Sequence, residues 1–184
     1  MALTRTPAPT LGAPAPDFSL ADPGGRIWTL ADCRGERGLV VMFICNHCPY
    51  VRSAIDRIVR DCRTLAALGI GSVAIMPNDF RAYPADRPGE MARFAAEHGF
   101  GFPYLVDADQ SVARAYGAVC TPDFFGYDAD LRLGYRGRLD AGNPQGLPAD
   151  ATPELVEAMV RLSAGEGPRE PQAPSLGCSI KWRT

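Results

Sequence analysis

Six consecutive apolar residues, Leu39 to Ile44, run directly into Cys45-Asn46-His47-Cys48-Pro49, and an amphipathic stretch follows without a break. No other part of the chain constrains the fold as much. A continuous run of branched and aromatic residues suits a strand covered on both faces. Pro49 has no N–H to donate, so it is tolerated only in the first turn of a helix. Beyond it, Val51, Ile55, Ile58, Val59, Cys62, Leu65 and Ala66 recur at spacings of three and four, while Arg52, Asp56, Arg60 and Arg63 fall on the other face. The pattern predicts a buried strand turning sharply into a long helix that starts no earlier than about Asn46, with Asn46 as its cap.

The flanking segments fill in an α/β domain. Phe18-Ser19-Leu20 and Ile27-Trp28-Thr29-Leu30 bracket the turn signal Asp22-Pro23-Gly24-Gly25, which predicts an N-terminal hairpin. Gly69 ends the long helix, and Ile70–Met76 reads as the next strand. Residues 88–98 read as a helix, Tyr104–Val106 as a short strand and Ser111–Tyr116 as a short helix. Phe124–Tyr127 and Leu133–Arg138 suggest a second hairpin, and residues 152–164 a closing helix. Prolines punctuate both ends, at Pro7, Pro9 and Pro14 and at Pro168, Pro171 and Pro174. The expected organisation is one domain over residues 1–184, with an N-terminal arm (1–15) and a C-terminal arm (165–184). Strands and helices in this order imply a central mixed sheet flanked by helices.

Length and charge set the outer bounds. A chain of 184 residues with 46% apolar and 22% charged residues suits one globular core, and its composition excludes wholesale disorder. No apolar run approaches the roughly 20 residues that span a bilayer. Residues 1–16 lack a charged segment followed by an apolar one, so a cytoplasmic protein is expected. The net charge is −2, and Lys181 is the only lysine; the arginines are scattered among the acids. Nucleic-acid binding calls for a concentrated positive face, which this distribution does not supply.

The six cysteines carry the chemical information: Cys33, Cys45, Cys48, Cys62, Cys120 and Cys178. In a cytosolic chain with an adequate core, redox chemistry or metal binding is expected ahead of a structural disulfide framework. Cys45 and Cys48 form the one C-x-x-C pair, at the positive end of the helix macrodipole, where thiolate is favoured over thiol. One sulfur of such a pair attacks a disulfide and the other resolves the mixed disulfide. Cys62 lies on the apolar stripe and reads as packing. Cys33 has no patterned partner. His47, between the paired cysteines, either is a solvated first-turn residue or supports a thiolate with its positive charge. His98 carries no assigned role.

Taken together, several segments resemble the thioredoxin-like redoxins of the AhpC/TSA (thiol-specific antioxidant) type. They are Gly12-Ala13-Pro14-Ala15-Pro16-Asp17-Phe18, Asn46-His47-Cys48-Pro49-Tyr50-Val51, Asn78-Asp79, Cys120-Thr121-Pro122-Asp123-Phe124-Phe125 and Gly177-Cys178-Ser179-Ile180-Lys181-Trp182. The resemblance implies a thioredoxin-like fold in which Pro122 is a cis-proline facing the C-x-x-C, with the Thr121 backbone free to pair with a substrate strand. It implies a thiol–disulfide oxidoreductase using Cys45 and Cys48, supported by His47, Pro49, Thr121 and Pro122. Its partners would be protein or small-molecule disulfides and thiols with an electron donor, and it would need no cofactor. Cys120 and Cys178 are further redox candidates, and the C-terminal arm is expected to pack back on the domain through Ile180 and Trp182.

Two other readings stand beside this one. A peroxiredoxin-like thiol peroxidase would use Cys48 as its peroxidatic cysteine, as Cys48-Pro49 matches that pattern. Val41 and Cys45, however, stand where that pattern has Pro and Thr or Ser, and Cys120-Thr121 stands near where its Arg is expected. The order of attack is therefore open: thioredoxin-type order favours Cys45, and the peroxiredoxin match favours Cys48. A non-enzymatic protein that binds copper or zinc, or senses redox state, through Cys45, Cys48, Cys178 and His47 is the third reading, although no second C-x-x-C or C-x-x-H supports it.

Overall fold

The computed structural model describes residues 3–183. Its centre is a seven-stranded mixed sheet. In chain order the elements that build it are β1 (Leu3–Arg5), β2 (Ser19–Ala21), β3 (Ile27–Thr29), α1 (Leu30–Cys33), β4 (Leu39–Phe43), α2 (Pro49–Ala67), β5 (Gly71–Met76), α3 (Pro88–Glu97), β6 (Tyr104–Val106), α4 (Ser111–Tyr116), β7 (Cys120–Thr121), β8 (Asp123–Tyr127), β9 (Leu133–Gly137), α5 (Glu154–Ser163) and β10 (Leu176–Ser179). The large sheet has the order β3-β2-β6-β5-β4-β8-β9. The central pairs β4–β5 and β5–β6 are parallel, and the outer pairs are antiparallel.

The apolar run that opens the argument sits where its composition demands. All five residues of β4 are buried, and its pleat sends alternate side chains into two separate cores. Val40 and Met42, with Ile44 just beyond the strand, meet the stripe Val51, Ile55, Ile58, Cys62 and Leu65 of α2 and the residues Leu155, Met159 and Leu162 of α5. Leu39, Val41 and Phe43 face the other way, onto Leu30 and Cys33 of α1 and Val112, Ala113 and Tyr116 of α4. Helices on both faces explain why this strand shows no polar alternation.

Two features depart from the sequence-based expectation. The long helix begins at Pro49 with Cys48 at the N-cap, two residues later than an Asn46 cap would place it. The Asn46 side chain is used elsewhere: its amide donates to the Ala85 carbonyl and its oxygen accepts from the Tyr104 hydroxyl. The short helix α1 occupies a segment whose first residue, Leu30, had been read as strand. Its signal is the capping box Thr29–Asp32, in which each side chain bonds the other's backbone N–H.

The two Pro-punctuated arms meet. β1 and β10 pair antiparallel, and β10 pairs with β7 on its other edge, giving a second sheet of order β1-β10-β7. The C-terminal segment continues along the body of the domain. Asp79 and the Gln110 side chain both donate to the Lys181 carbonyl, the Lys181 N–H donates to Asn78, and Arg114 stacks over Trp182. Ile180 is buried among the residues around β4.

Candidate active site

The end of β4 delivers Cys45 and the start of α2 delivers Cys48, and both side chains are essentially inaccessible, 1% and 0% exposed. The Thr121-Pro122 peptide is cis and lies against them. The Thr121 hydroxyl is 3.3 Å from Cys45 Sγ, and the Thr121 carbonyl accepts from the Cys48 thiol at 3.0 Å. Pro122 is cis as expected and Thr121 lies beside both sulfurs, but the Thr121 backbone is not free for a substrate strand, because β10 pairs with it.

The third sulfur comes from the C-terminal arm. Cys178 lies directly across from Thr121 in the β10–β7 register and shares the buried cluster of Cys45 and Cys48, where its thiol and N–H favour the Cys48 thiolate. Of the six cysteines, Cys45, Cys48, Cys62 and Cys178 belong to the core on the α2 side of the sheet, whereas Cys33 is in the opposite core. Cys120 neighbours the site in sequence but aims its thiol at the carbonyl of Pro122, 3.6 Å away. Burial, reinforced by Asp123, pushes the Cys120 thiol up.

The two sulfurs of the C-x-x-C are electrostatically unequal. Cys48 Sγ sits at the open end of a 19-residue helix without a side-chain capping bond, and its thiolate is favoured by the neighbouring Cys45 and Cys178 thiols and by the N–H groups of Val51 and Cys178. The Cys45 contact is the largest contribution, and together they outweigh burial and lower Cys48 to about 5. Cys45 moves the opposite way, well above the ordinary thiol range. Its proton is held on Cys48, it is buried, and the nearby Asp86 charge opposes a second anion. The Cys178 thiol is raised to about 12, by burial and by its own donation to Cys48.

Asp86 is the residue that sequence reasoning missed. It lies in a 3-10 turn, Pro84–Asp86, between β5 and α3, and its carboxylate is fully buried. Oδ1 accepts the Asn46 N–H at 2.9 Å, and Oδ2 accepts the Asn78 amide at 2.9 Å. His47 Nδ1 lies 2.8 Å from Oδ2, off the axis of a good hydrogen bond, so the two are held as a charge pair. Contact with Asp86 raises the His47 pKa against the opposing effect of burial, and the Cys48 charge raises it further. His47 also stacks on Tyr83 at 5.7 Å. It is therefore a fixed member of the site and not a solvated first-turn residue. Nothing in a lone Asp inside a Pro-rich loop would have signalled this arrangement.

One group of side chains has metal-ligating spacing: donor atoms of Cys45, His47 and Asp86 lie within 4.8 Å of one another. Both Asp86 oxygens are already engaged by amides from Asn46 and Asn78, and Cys45 is turned toward Cys48 and Thr121. The donor set fits a hydrogen-bonded network better than a soft-metal site, which would need a further thiolate. His98, unassigned from the sequence, lies far along the chain from this network and pairs loosely with exposed Asp56 at 3.5 Å.

Comparison with known proteins decides the family. Residues 11–136 match the model of the AhpC/TSA family. A putative peroxiredoxin of Mycobacterium tuberculosis is 30% identical over 124 residues, which is 67% of this chain and 74% of the relative. The chain belongs to the AhpC/TSA family. A crystal structure of an uncharacterized conserved protein from Geobacillus kaustophilus is similar along the whole length, at 42% identity and TM-score 0.93, covering 100% of this chain and 97% of that one. A secreted disulfide oxidoreductase of Mycobacterium tuberculosis, at 19% identity, shares the thioredoxin-like fold, with TM-score 0.61 over 79% of this chain and 96% of that one. Among the described residues of this AhpC/TSA protein, no helix is long and apolar enough to cross a membrane.

Proposed function

We propose that this AhpC/TSA protein is a thiol–disulfide oxidoreductase that cycles Cys45 and Cys48 between dithiol and disulfide, with Cys48 as the attacking sulfur. The observation that carries the reading is the inequality of the pair. Cys48 is the helix N-cap and its thiol is lowered, above all by the adjoining Cys45 thiol, while Cys45 is raised and keeps its proton. The Cys48 thiolate attacks one sulfur of a substrate disulfide and expels the other as thiolate. Cys45, losing its proton to that leaving group, then attacks Cys48 Sγ and releases the second half of the substrate. The Thr121 hydroxyl meets Cys45, and Asp86 fixes the intervening Asn46 and His47.

The test is turnover of a small disulfide by wild type and by Cys48→Ser and Cys45→Ser, with disulfides mapped by mass spectrometry after mild oxidation. The reading expects no turnover from Cys48→Ser and, in Cys45→Ser, new disulfides that all include Cys48. A Cys48→Ser protein that retained wild-type turnover would reject it.

A thiol peroxidase is the second reading, and one observation favours it: the thiolate is the cysteine that matches the peroxidatic position. Against it, Arg136 is committed to Asp123, to the Gly117 carbonyl and to the face of Phe125. Arg52 reaches only the Asn46 carbonyl. Disulfide turnover exceeding hydrogen peroxide consumption supports the first reading; the reverse ranking supports the second.

A further inference from the structure

We propose that Cys178 is a second resolving thiol for Cys48, built into the site by the chain's own C-terminal strand, and that the substrate is consequently a low-molecular-weight disulfide. The proposal rests on the dithiol reading above. Thr121 presents a backbone edge beside Cys48, and β10 occupies it, with Cys178 opposite Thr121 and Ser179 opposite Cys120. On its outer side β10 is closed in turn by β1, with Leu3 opposite Cys178. A substrate strand from another protein docks by adding to a free edge, and this edge is taken.

The approach of β10 to β7 is closer than any side chain would allow. A Cβ on Gly177 would lie 2.1 Å from the Thr121 carbonyl oxygen and 3.1 Å from the Pro122 nitrogen, both backbone atoms. Glycine at this position seats the next residue, Cys178, against Cys48. Beyond it the strand is fastened by Ile180 donating to the Val119 carbonyl and by the bonds of Lys181 to Asn78, Asp79 and Gln110. The consequence is a third sulfur opposite Thr121, in the same buried cluster as Cys45 and Cys48 and in the place where an incoming cysteine would lie. The three sulfur-bearing residues are 1%, 0% and 6% exposed, so a folded protein cannot reach Cys48 past β10. A small disulfide needs far less room. An open cleft of about 210 Å³ reaches the neighbouring Tyr50, Pro122 and Leu176, although none of the three cysteines lines it.

The electrons balance without a further reactant. Cys48 thiolate attacks a disulfide R–S–S–R, forming Cys48–S–S–R and releasing one thiolate. Cys178, passing its proton to that thiolate, attacks Cys48 Sγ, forms the Cys48–Cys178 bond and releases the second thiolate, which takes up the proton Cys48 had lost. Two protein thiols are oxidised and one substrate disulfide is reduced to two thiols.

The decisive experiment uses the full-length Cys45→Ser variant, in which Cys45 cannot resolve. It is treated with bis(2-hydroxyethyl) disulfide, quenched in acid and mapped by mass spectrometry. The expected product is a Cys48–Cys178 disulfide, replaced in Cys45→Ser/Cys178→Ser by a persistent hydroxyethylthio adduct on Cys48. A persistent adduct on Cys48 in Cys45→Ser, with Cys178 free, would overturn the proposal and leave the dithiol reading standing. An unmodified Cys48 in wild type and variants alike would overturn both. Gly177→Ala tests the closed edge separately. Wild type is expected to reduce the small disulfide but not insulin, and Gly177→Ala to gain insulin reduction as β10 is pushed from β7. Insulin reduction by wild type at the rate of the small disulfide would overturn the substrate class.

Discussion

Cys48 and Cys62 ride the same helix about four turns apart, and both are buried, yet their chemistry is opposite. Cys62 packs with its sulfur 3.9 Å from that of Met42, and burial pushes its thiol up to about 12. Cys48 is more completely buried, and its thiol falls to about 5. Burial alone disfavours the thiolate at both positions. What separates them is the supply of donors. At the helix N-terminus the N–H groups have no intrahelical partner and can face a sulfur; in mid-helix each is spent on a carbonyl one turn back. Two neighbouring thiols complete the set at Cys48. A cysteine's polar neighbours, here Cys45 first and the helix end after it, decide more than its exposure whether it reacts.

The strongest way to break that contrast is substitution. Cys48→Ser is expected to lower disulfide turnover by on the order of 10³-fold or more, since it removes the attacking atom. Cys62→Ala is expected to leave turnover at the wild-type level. Steady-state rates of the two purified variants decide the matter, and equal losses would mean that burial, not helix position, governs both cysteines.

Alkylation sharpens the same contrast along the pH axis. Iodoacetamide labels thiolates, so the Cys48 signal in a mapped digest should persist as pH is lowered and fade only near pH 5. Cys62 should stay unlabelled throughout the neutral range. The folded Cys48 pKa is depressed, so its thiolate contributes stability above the unfolded thiol range. That contribution is lost as pH falls toward 5. A Cys48 labelling midpoint in the ordinary thiol range near 8.5 would remove the basis for assigning it as the nucleophile.

The junction that carries Cys48 was legible because three independent signals coincide there: a fully apolar strand, a helix-period stripe and a proline that can stand only in the first turn. The start of the helix was not read correctly, because Asn46 looks like a cap and is instead recruited by Ala85 and Tyr104, partners distant in sequence. The arms were harder still. Pro-rich ends read as extended, and nothing local says that Leu3 will lie beside Cys178. The placement of Cys178 against Cys48 needed Gly177, the Thr121 carbonyl and the tethering of Lys181 to be seen together. Asp86 was invisible for the same reason: its role exists only through Asn46, His47 and Asn78, which reach it from two other loops.

A smaller effect separates the two cysteines in stability. Cys62→Ala removes a buried sulfur from the stripe that meets β4, and the expected loss is about 1 kcal/mol. For a chain of this size that corresponds to a fall in Tm of roughly 2–4 °C. Calorimetry of the reduced proteins checks it. No change would mean that the site around Cys62 collapses without cost.

The smallest expected effect lies inside the Cys48 environment and tests how its charge is balanced. His47 is near the thiolate, but its closest charged partner is Asp86, so its field at Cys48 is largely offset. Removing the imidazolium still leaves the buried Asp86 carboxylate facing the sulfurs. His47→Ala should therefore raise the Cys48 pKa and shift the reduction potential to a more negative value, because the reduced, thiolate-bearing form is disfavoured. A shift of about 20 mV is expected, which is under about 1 kcal/mol for a two-electron couple. Asp86→Asn should move the potential the other way. The pH dependence follows from the raised His47 pKa: the imidazolium is present at low pH and is lost as pH rises through its folded pKa. The difference between wild type and His47→Ala should accordingly be greatest in mildly acidic buffer and vanish in alkaline buffer. Redox titration against glutathione at several pH values measures it. A shift that did not fade at high pH would mean that His47 acts by packing on Tyr83 and not through its charge.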